Sequence, residues 1–296
     1  MDISVIIVSY NTRQLLSHCL NSIEEAKQNL KIEIFVVDNN SHDKTTQMVK
    51  KDFRLVKLIA NRENLGFSKA NNIALKKARG KYILILNPDT TIDKNTLGTM
   101  FSYMEENTNV AMSTCRVQLI NGQLDADCRR RFPTPWRAFT HFSKLSKIFP
   151  GTKLFDSYRY GDIDRNSEHE IEACVGAFMF IRTKVLEKIG YFDEDYFFYG
   201  EDLDLCYRFK MAGEKIFYTP RTKIIHYKGA SSGIKSHSKH LSIATLKSKQ
   251  KTLRESTRAM ELFYKKHYQK IYPRLITYPV LLGIKAMEKF RLAKVK

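Results

Sequence analysis

Apolar runs ended by short polar stops recur through the first third of the chain. Ile3 to Val8 is short, apolar and rich in β-branched residues, the pattern of a strand buried on both faces. Ile32 to Val37, Leu55 to Ile59 and Tyr82 to Leu86 repeat it. Between these runs the period changes. Leu15, Leu16, Cys19, Leu20 and Ile23 make a helical stripe behind Thr12, a candidate N-cap. Asp43 to Lys51 reads as a second helix. A third opens at Ser68, passes through Ala70, Ile73, Ala74 and Ala78, and is closed by Gly80. Strand and helix thus alternate four times, which predicts an α/β fold with a parallel, doubly wound sheet. Right-handed crossovers place every strand's carboxyl end on one rim, where open α/β sheets bind ligands.

The stops are as informative as the runs. Ser9 and Asn11 follow the first strand, Asp38 the second, Asn64 the third, and Asn87-Pro88-Asp89 the fourth. Pro88 cannot continue a central strand, so Asp89 is delivered rigidly at the strand end. A carboxylate there suits a hard divalent cation that also holds phosphate oxygens, whereas the plain alternative is a turn Asp capping the next helix. No Gly-x-Gly-x-x-Gly follows the first strand and no Gly-x-x-x-x-Gly-Lys-Ser/Thr occurs, which argues against dinucleotide-binding and P-loop chemistry.

Beyond Leu97 the pattern loosens. Val110 to Val117 predicts one or two further strands. Arg129 to about Arg165 lacks clean periodicity and reads as a long excursion; its triple Arg suits phosphate or a solvated charge run. Ile171 to Ile181 is strand-like but interrupted by Gly176, which suggests close backbone approach to a ligand. Thr183 to Ile189 reads as a short helix. An aromatic, acidic loop then leads into a helix at Glu201. Six carboxylates lie between Asp193 and Asp204, more than a helix dipole alone accounts for. Short strands are expected at Lys215 to Tyr218 and Lys223 to Ile225, followed by His226. The Gly/Ser-rich run from Tyr227 to Gly233 suits phosphate.

Charge changes the picture only at the carboxyl-terminal end. The stretch from Arg221 to Lys296 carries +16 of the net +19. Its last part is helical, with an apolar stripe from Val280 to Leu292 flanked by Lys285, Lys289 and Arg291, the composition of an interfacial helix. An anionic membrane surface is therefore the expected partner, against a solvated helix packed on the body. Nucleic acid is not expected, because the charge sits in a tail and not on the ordered sheet. No apolar run reaches the length of a transmembrane helix and the start lacks a basic n-region, so a cytoplasmic protein, peripheral at the inner membrane face, is expected. Five scattered cysteines without a Cys-x-x-Cys pair suggest reduced core thiols. Residues 1–235 are expected to form the catalytic domain (1–115 and 116–235 as its two halves), with 236–296 a basic helical extension.

In order, Ile7 to Asn11, Val37 to Ser41, Asn64 to Phe67 with Ala70-Asn71-Asn72, Leu86 to Thr90, Gly200 to Asp204, and His226 resemble the motifs of family 2 glycosyltransferases, most of all bacterial rhamnosyltransferases. The resemblance covers about residues 3–232. It implies a GT-A fold with a Rossmann-like, mostly parallel sheet, and inverting transfer from a nucleoside diphosphate sugar, dTDP-rhamnose or a UDP-sugar, to a glycan acceptor that is polyprenyl-linked. By position it implies that Ser9, Asn11, Asp38, Asn64, Asn71 and Asn87 bind the nucleotide, and that Asp89 and His226 hold Mg²⁺ or Mn²⁺. Asp202 would be the catalytic base, with Gly176 and Glu201 on the acceptor side. One departure stands out: Asn87 occupies the place of the first acid of the family's Asp-x-Asp. The alternatives are a UDP-hexose donor or a non-catalytic protein that binds a nucleotide sugar or polyanion.

Overall fold

A computed structural model describes residues 1–228 and 246–294. The first half is built as the apolar runs predict: β1 (Ile3–Ser9), α1 (Arg13–Ala26), β2 (Ile32–Asp38), α2 (Thr45–Asp52), β3 (Lys57–Ala60), α3 (Gly66–Leu75) and β4 (Tyr82–Leu86). Strands β3, β2, β1 and β4 lie side by side and parallel. Every residue of β1 and β4 is buried, because helices cover both faces of this half.

Two local expectations need correction. Thr12 stands at the N-cap of α1, but its side chain makes no capping bond; Thr12 Oγ1 sits 2.9 Å from Ser9 Oγ instead. Helix α3 starts at Gly66, before Ser68, and ends at Leu75 without reaching Gly80. Gly80 serves another purpose. A Cβ there would lie 2.4 Å from Ser4 N, so only Gly lets the chain pass over β1 into β4.

The second half adds β5 (Thr90–Ile92), α4 (Thr96–Glu106), β6 (Val110–Leu119), α5 (Pro135–Phe142), α6 (Leu145–Ile148), β7 (His169–Ile171), β8 (Phe178–Arg182), α7 (Thr183–Ile189), α8 (Glu201–Met211) and β9 (Lys215–His226). The single sheet runs β3-β2-β1-β4-β8-β6-β9-β5, with β7 also paired to β9. It is mostly parallel, with β8, β5 and β7 entering antiparallel. The run from Ile171 to Ile181 is therefore two strands with a loop between them. The two short strands expected around 215–225 are one, with a register shift where Cys115 pairs with Thr219 and Arg116 with Lys223. Pro220 lies inside that irregularity, where a missing N–H costs no ladder bond.

Helices α9 (Leu246–Phe263) and α10 (Arg274–Ala293) close the chain. Ala259, Phe263, Tyr264 and Tyr268 belong to the same buried cluster as the sheet. Among the described residues no helix is long and apolar enough to cross a membrane. All five cysteines are free and buried, as their spacing suggests.

Candidate active site

The parallel strands bring the polar stops together. Ser9 pairs in register with Asp38, and Asn39 N–H donates to Ser9 O at 2.8 Å. Asn11 adopts a left-handed φ of 53°. Its Oδ1 accepts from His42 N–H at 2.8 Å, and its own N–H donates to Ser41 Oγ at 2.9 Å. These bonds tie the first two strand-end loops to each other. Asp38 Oδ2 accepts from Ser41 N–H at 2.9 Å, while Asp38 Oδ1 is buried without a partner. A buried acceptor left open on the ligand rim fits an N–H or O–H donor from a ligand.

Asn64 and Asn71 shape the next loop. Asn64 Oδ1 accepts from Gly66 N–H at 3.0 Å. Asn71 is fully buried, and its Nδ2 donates to Phe67 O at 2.9 Å, leaving Oδ1 unpaired. Phe67 N–H donates to Phe197 O at 2.7 Å, which fastens the start of α3 to the acidic loop. Gly66, at φ +81°, allows this: a Cβ would lie 2.4 Å from Phe197 O. Asn87 closes the circle, since its N–H donates to Ala177 O at 3.2 Å.

Strand β5 explains how Asp89 meets His226. Its antiparallel pairing sets Thr90 opposite His226, and Tyr227 N–H donates to Asp89 O at 2.9 Å. His226 Nε2 lies 3.4 Å from Asp89 Oδ1, and Nδ1 lies 3.3 Å from Asp125 Oδ2. Lys228 Nζ reaches Asp125 at 2.7 Å and Asp127 at 2.5 Å. Burial works against the charge of His226, but the two carboxylates outweigh it and push the imidazole up to about 9. Burial likewise opposes the charge of Asp127, yet Lys228, Arg159 and Arg130 hold it well below the usual carboxylate range.

Among the described residues no group of three His, Cys, Asp or Glu side chains is arranged to hold a metal by itself. Asp89 and His226 nonetheless form a donor set that fits a divalent cation completed by diphosphate oxygens. Asp125 Oδ2, 3.3 Å from His226 Nδ1, stands where a carboxylate would orient the imidazole toward such a cation.

Asp202 opens the second part of the site, at the first turn of α8. Its Oδ2 accepts from Arg130 Nη2 at 2.7 Å and from Gly176 N–H at 3.1 Å; Oδ1 accepts from Leu203 N–H at 2.7 Å. Gly176 thus acts through its N–H, from the loop before β8. A Cβ on it would meet Asp202 and Phe67 only at ordinary contact distance, so the protein's own packing does not require Gly there. Burial disfavours the charge of Arg130, and the Asp202 carboxylate beside it reverses that.

The remaining acids of this stretch have separate employment. Lys266 bonds Asp193 and Asp195, and Asn72 Nδ2 donates to Glu194 at 3.0 Å. Burial tends to raise Asp204, and bonds from His267 Nε2 (2.7 Å) and Arg208 Nε (2.9 Å) more than reverse it. Four of the six carboxylates therefore anchor α3, α8 and the end of α9. Glu201 differs. It is buried with Oε2 unpartnered, and burial together with the Asp202 charge pushes it up to about 8.

That position has a measurable sign. Between the ordinary carboxylate value and about 8, folded Glu201 keeps a proton that the unfolded chain releases. Stability therefore falls as pH rises through this window, by about 1.4 kcal/mol per pH unit. Gln copies the protonated form, so Glu201→Gln gains on the wild type steadily from about pH 5 to about pH 8. Urea unfolding across this range measures the gain; a constant difference between the two proteins refutes it.

Sequence reasoning missed Asp125 and Asp127, and read Arg130 and Lys228 only as parts of phosphate-binding candidates. Both acids lie just ahead of the unpatterned excursion, where Asp125-Ala-Asp127 before three Arg was the available signal. The triple Arg is not a solvated run. Arg129 donates to Ile163 O, Arg130 to Asp202, and Arg131 to Asp162 and Ser157 O, because a buried guanidinium needs internal acceptors. Apart from Tyr227 and Lys228, the Gly/Ser-rich run to Gly233 lies outside the described residues.

Comparison with known proteins places this geometry. The profile of glycosyl transferase family 2 matches residues 4–190. Rhamnosyltransferase WbbL of Escherichia coli K12 is 27% identical over 231 residues, 75% of this chain and 82% of that protein. The N-acetylglucosaminyl-diphospho-decaprenol L-rhamnosyltransferase of Mycobacterium tuberculosis is 23% identical over 240 residues, 77% of each chain. Staphylococcus aureus TarS 1-349 in complex with UDP-GlcNAc superposes with a TM-score of 0.55 at 18% identity, over 100% of this chain and 90% of that one. GalNAc-T7 with UDP, GalNAc and Mn²⁺ superposes with a TM-score of 0.56 at 17% identity, over 92% of this chain and 52% of that one. These structural likenesses establish the shared GT-A fold.

Proposed function

The chain belongs to glycosyl transferase family 2, and from that premise we propose that it is an inverting transferase moving L-rhamnose from dTDP-rhamnose to a saccharide carried on a diphosphate lipid, in cell-surface polysaccharide assembly. The observation that carries this reading is the pairing of two half-sites. Asp89, just after β4, meets His226 at the end of β9; Asp202 begins α8; and the Asn87–Ala177 and Gly176–Asp202 hydrogen bonds link the two. The rhamnosyltransferase relatives favour the donor sugar, and the diphospho-decaprenol named for one of them favours the acceptor class.

The chemistry follows from the residues. Inverting transfer is one in-line displacement: the acceptor oxygen bonds to the sugar's anomeric carbon as the bond to the diphosphate oxygen breaks. The acceptor hydroxyl proton passes to Asp202, a base held in place by Gly176 N–H and Arg130. Asp38 Oδ1 takes the imide N–H that thymine and uracil share, so this contact does not separate dTDP from UDP donors. Mg²⁺ or Mn²⁺, held by Asp89 and His226, would supply charge neutralisation at the leaving diphosphate. Asn87, two residues before Asp89, keeps a half-buried side chain that adds no charge.

Purified protein offered UDP-, GDP- and dTDP-sugars, with and without Mn²⁺, tests the reading. We expect turnover of dTDP-rhamnose that falls when the metal is chelated. Turnover confined to a UDP-hexose overturns the donor; turnover of no nucleotide sugar overturns the activity.

A further inference from the structure

We propose that the protein lies on an anionic lipid surface through a face built jointly by α10 and the α5–α6 excursion. Helix α10 packs on α9 through Thr277, Ile284 and their neighbours, with Thr277 Oγ1 3.1 Å from Tyr264 OH and Thr257 Oγ1 donating to Glu288 at 3.2 Å. The opposite side is not the polar surface that such packing leaves on an ordinary helix. Leu275 is 89% exposed and Leu282 66%, and Tyr278 and Phe290 continue the stripe at helical spacing. Arg274, Lys285, Lys289 and Lys294 stand exposed along it, and none forms an ion pair among the described residues.

The excursion repeats this composition. Helix α5 buries only Thr140 and exposes Trp136, Phe139 and Phe142; Ile148 and Phe149 follow, with Lys144 and Lys147 exposed between them. The two patches adjoin. Arg137, in the first turn of α5, donates to Phe132 O at 3.2 Å; the Phe132 ring lies 5.0 Å from that of Tyr207, which lies 6.0 Å from Tyr268 at the corner between α9 and α10. Aromatic and aliphatic side chains among unpaired cations match the boundary between acyl chains and anionic headgroups. The exposed cations of the face itself, Arg274, Lys285, Lys289 and Lys294 on α10 with Lys144 and Lys147 on the excursion, select that occupant by charge. No described helix is apolar enough to cross, so the face lies in the membrane plane.

This deepens the acceptor half of the proposed function: the excursion leaves from Arg130, which holds Asp202, so lipid docking sets the base beside the acceptor's origin. Binding is measured without any sugar donor, so its failure and that of the transferase reading are separate results. The full chain is co-sedimented with phosphatidylcholine vesicles with and without phosphatidylglycerol. Two exposed pairs are changed, Leu275→Glu with Leu282→Glu, and Trp136→Glu with Phe139→Glu, and thermal melts verify folding. We expect binding to rise at least about tenfold with phosphatidylglycerol, and each pair of changes to lower it by about tenfold or more. Equal partition to both vesicles overturns the proposal, as does loss confined to one pair. A dimer in solution that both variants convert to monomer also overturns it, in favour of a second copy covering this face.

Discussion

Asp202→Asn abolishes sugar transfer: kcat falls by about 10³-fold, within the range for removing a positioned general base, while nucleotide affinity is nearly unchanged. The split follows from the two half-sites. The Asn side chain keeps an oxygen to accept from Arg130 and Gly176, so the loop before β8 keeps its anchor. What is lost is the group proposed to take the acceptor's proton. Asp38 and Asp89, on the ends of β2 and β4, are untouched. Single-turnover transfer alongside nucleotide titration measures both quantities. A variant that transfers at the wild-type rate removes Asp202 from the role of base; one that loses nucleotide affinity in step with rate shows that Asp202 organises the donor side.

Arg130→Met is the largest expected loss of stability, about 3–5 kcal/mol, because it strands a buried carboxylate without its partner. Asp127 also loses a cation that stabilises its charge. Adding Asp202→Asn to Arg130→Met recovers a substantial part of the loss, since the neutral amide no longer demands a counter-charge. Urea unfolding of the four proteins closes this cycle. Additive losses would show that the 2.7 Å contact between Arg130 and Asp202 carries no coupling.

The part of the fold that was legible is the part whose strands are buried on both faces. Tyr82 to Leu86 and Ile3 to Val8 read plainly as strands, because a short apolar run with β-branched residues, bounded by polar stops, is too short for a helix. The lower-contrast elements were read less well. Strand β5 is three residues long, too short for periodicity, yet it alone brings Asp89 to His226. Helix α3 stops short of Gly80 because the chain must pass close over β1, a constraint between residues far apart in sequence. The six acids before and within α8 read as one functional cluster, but Lys266, Asn72 and His267 from distant elements, with Arg208 one turn along α8, engage four of them.

The sequence by itself determined the α/β class, the rim, and the residues that β1, β2 and β4 deliver to it, because strand period and strand ends are local properties of the chain. Only the tertiary structure decided which charges neutralise one another. Arg130 reaches Asp202 across 72 positions, Lys228 reaches Asp125 across 103, and the outward face of α10 is apolar because α9 engages the other side. Ion pairing and burial depend on neighbours in space, and a buried guanidinium has the same letters around it as a solvated one.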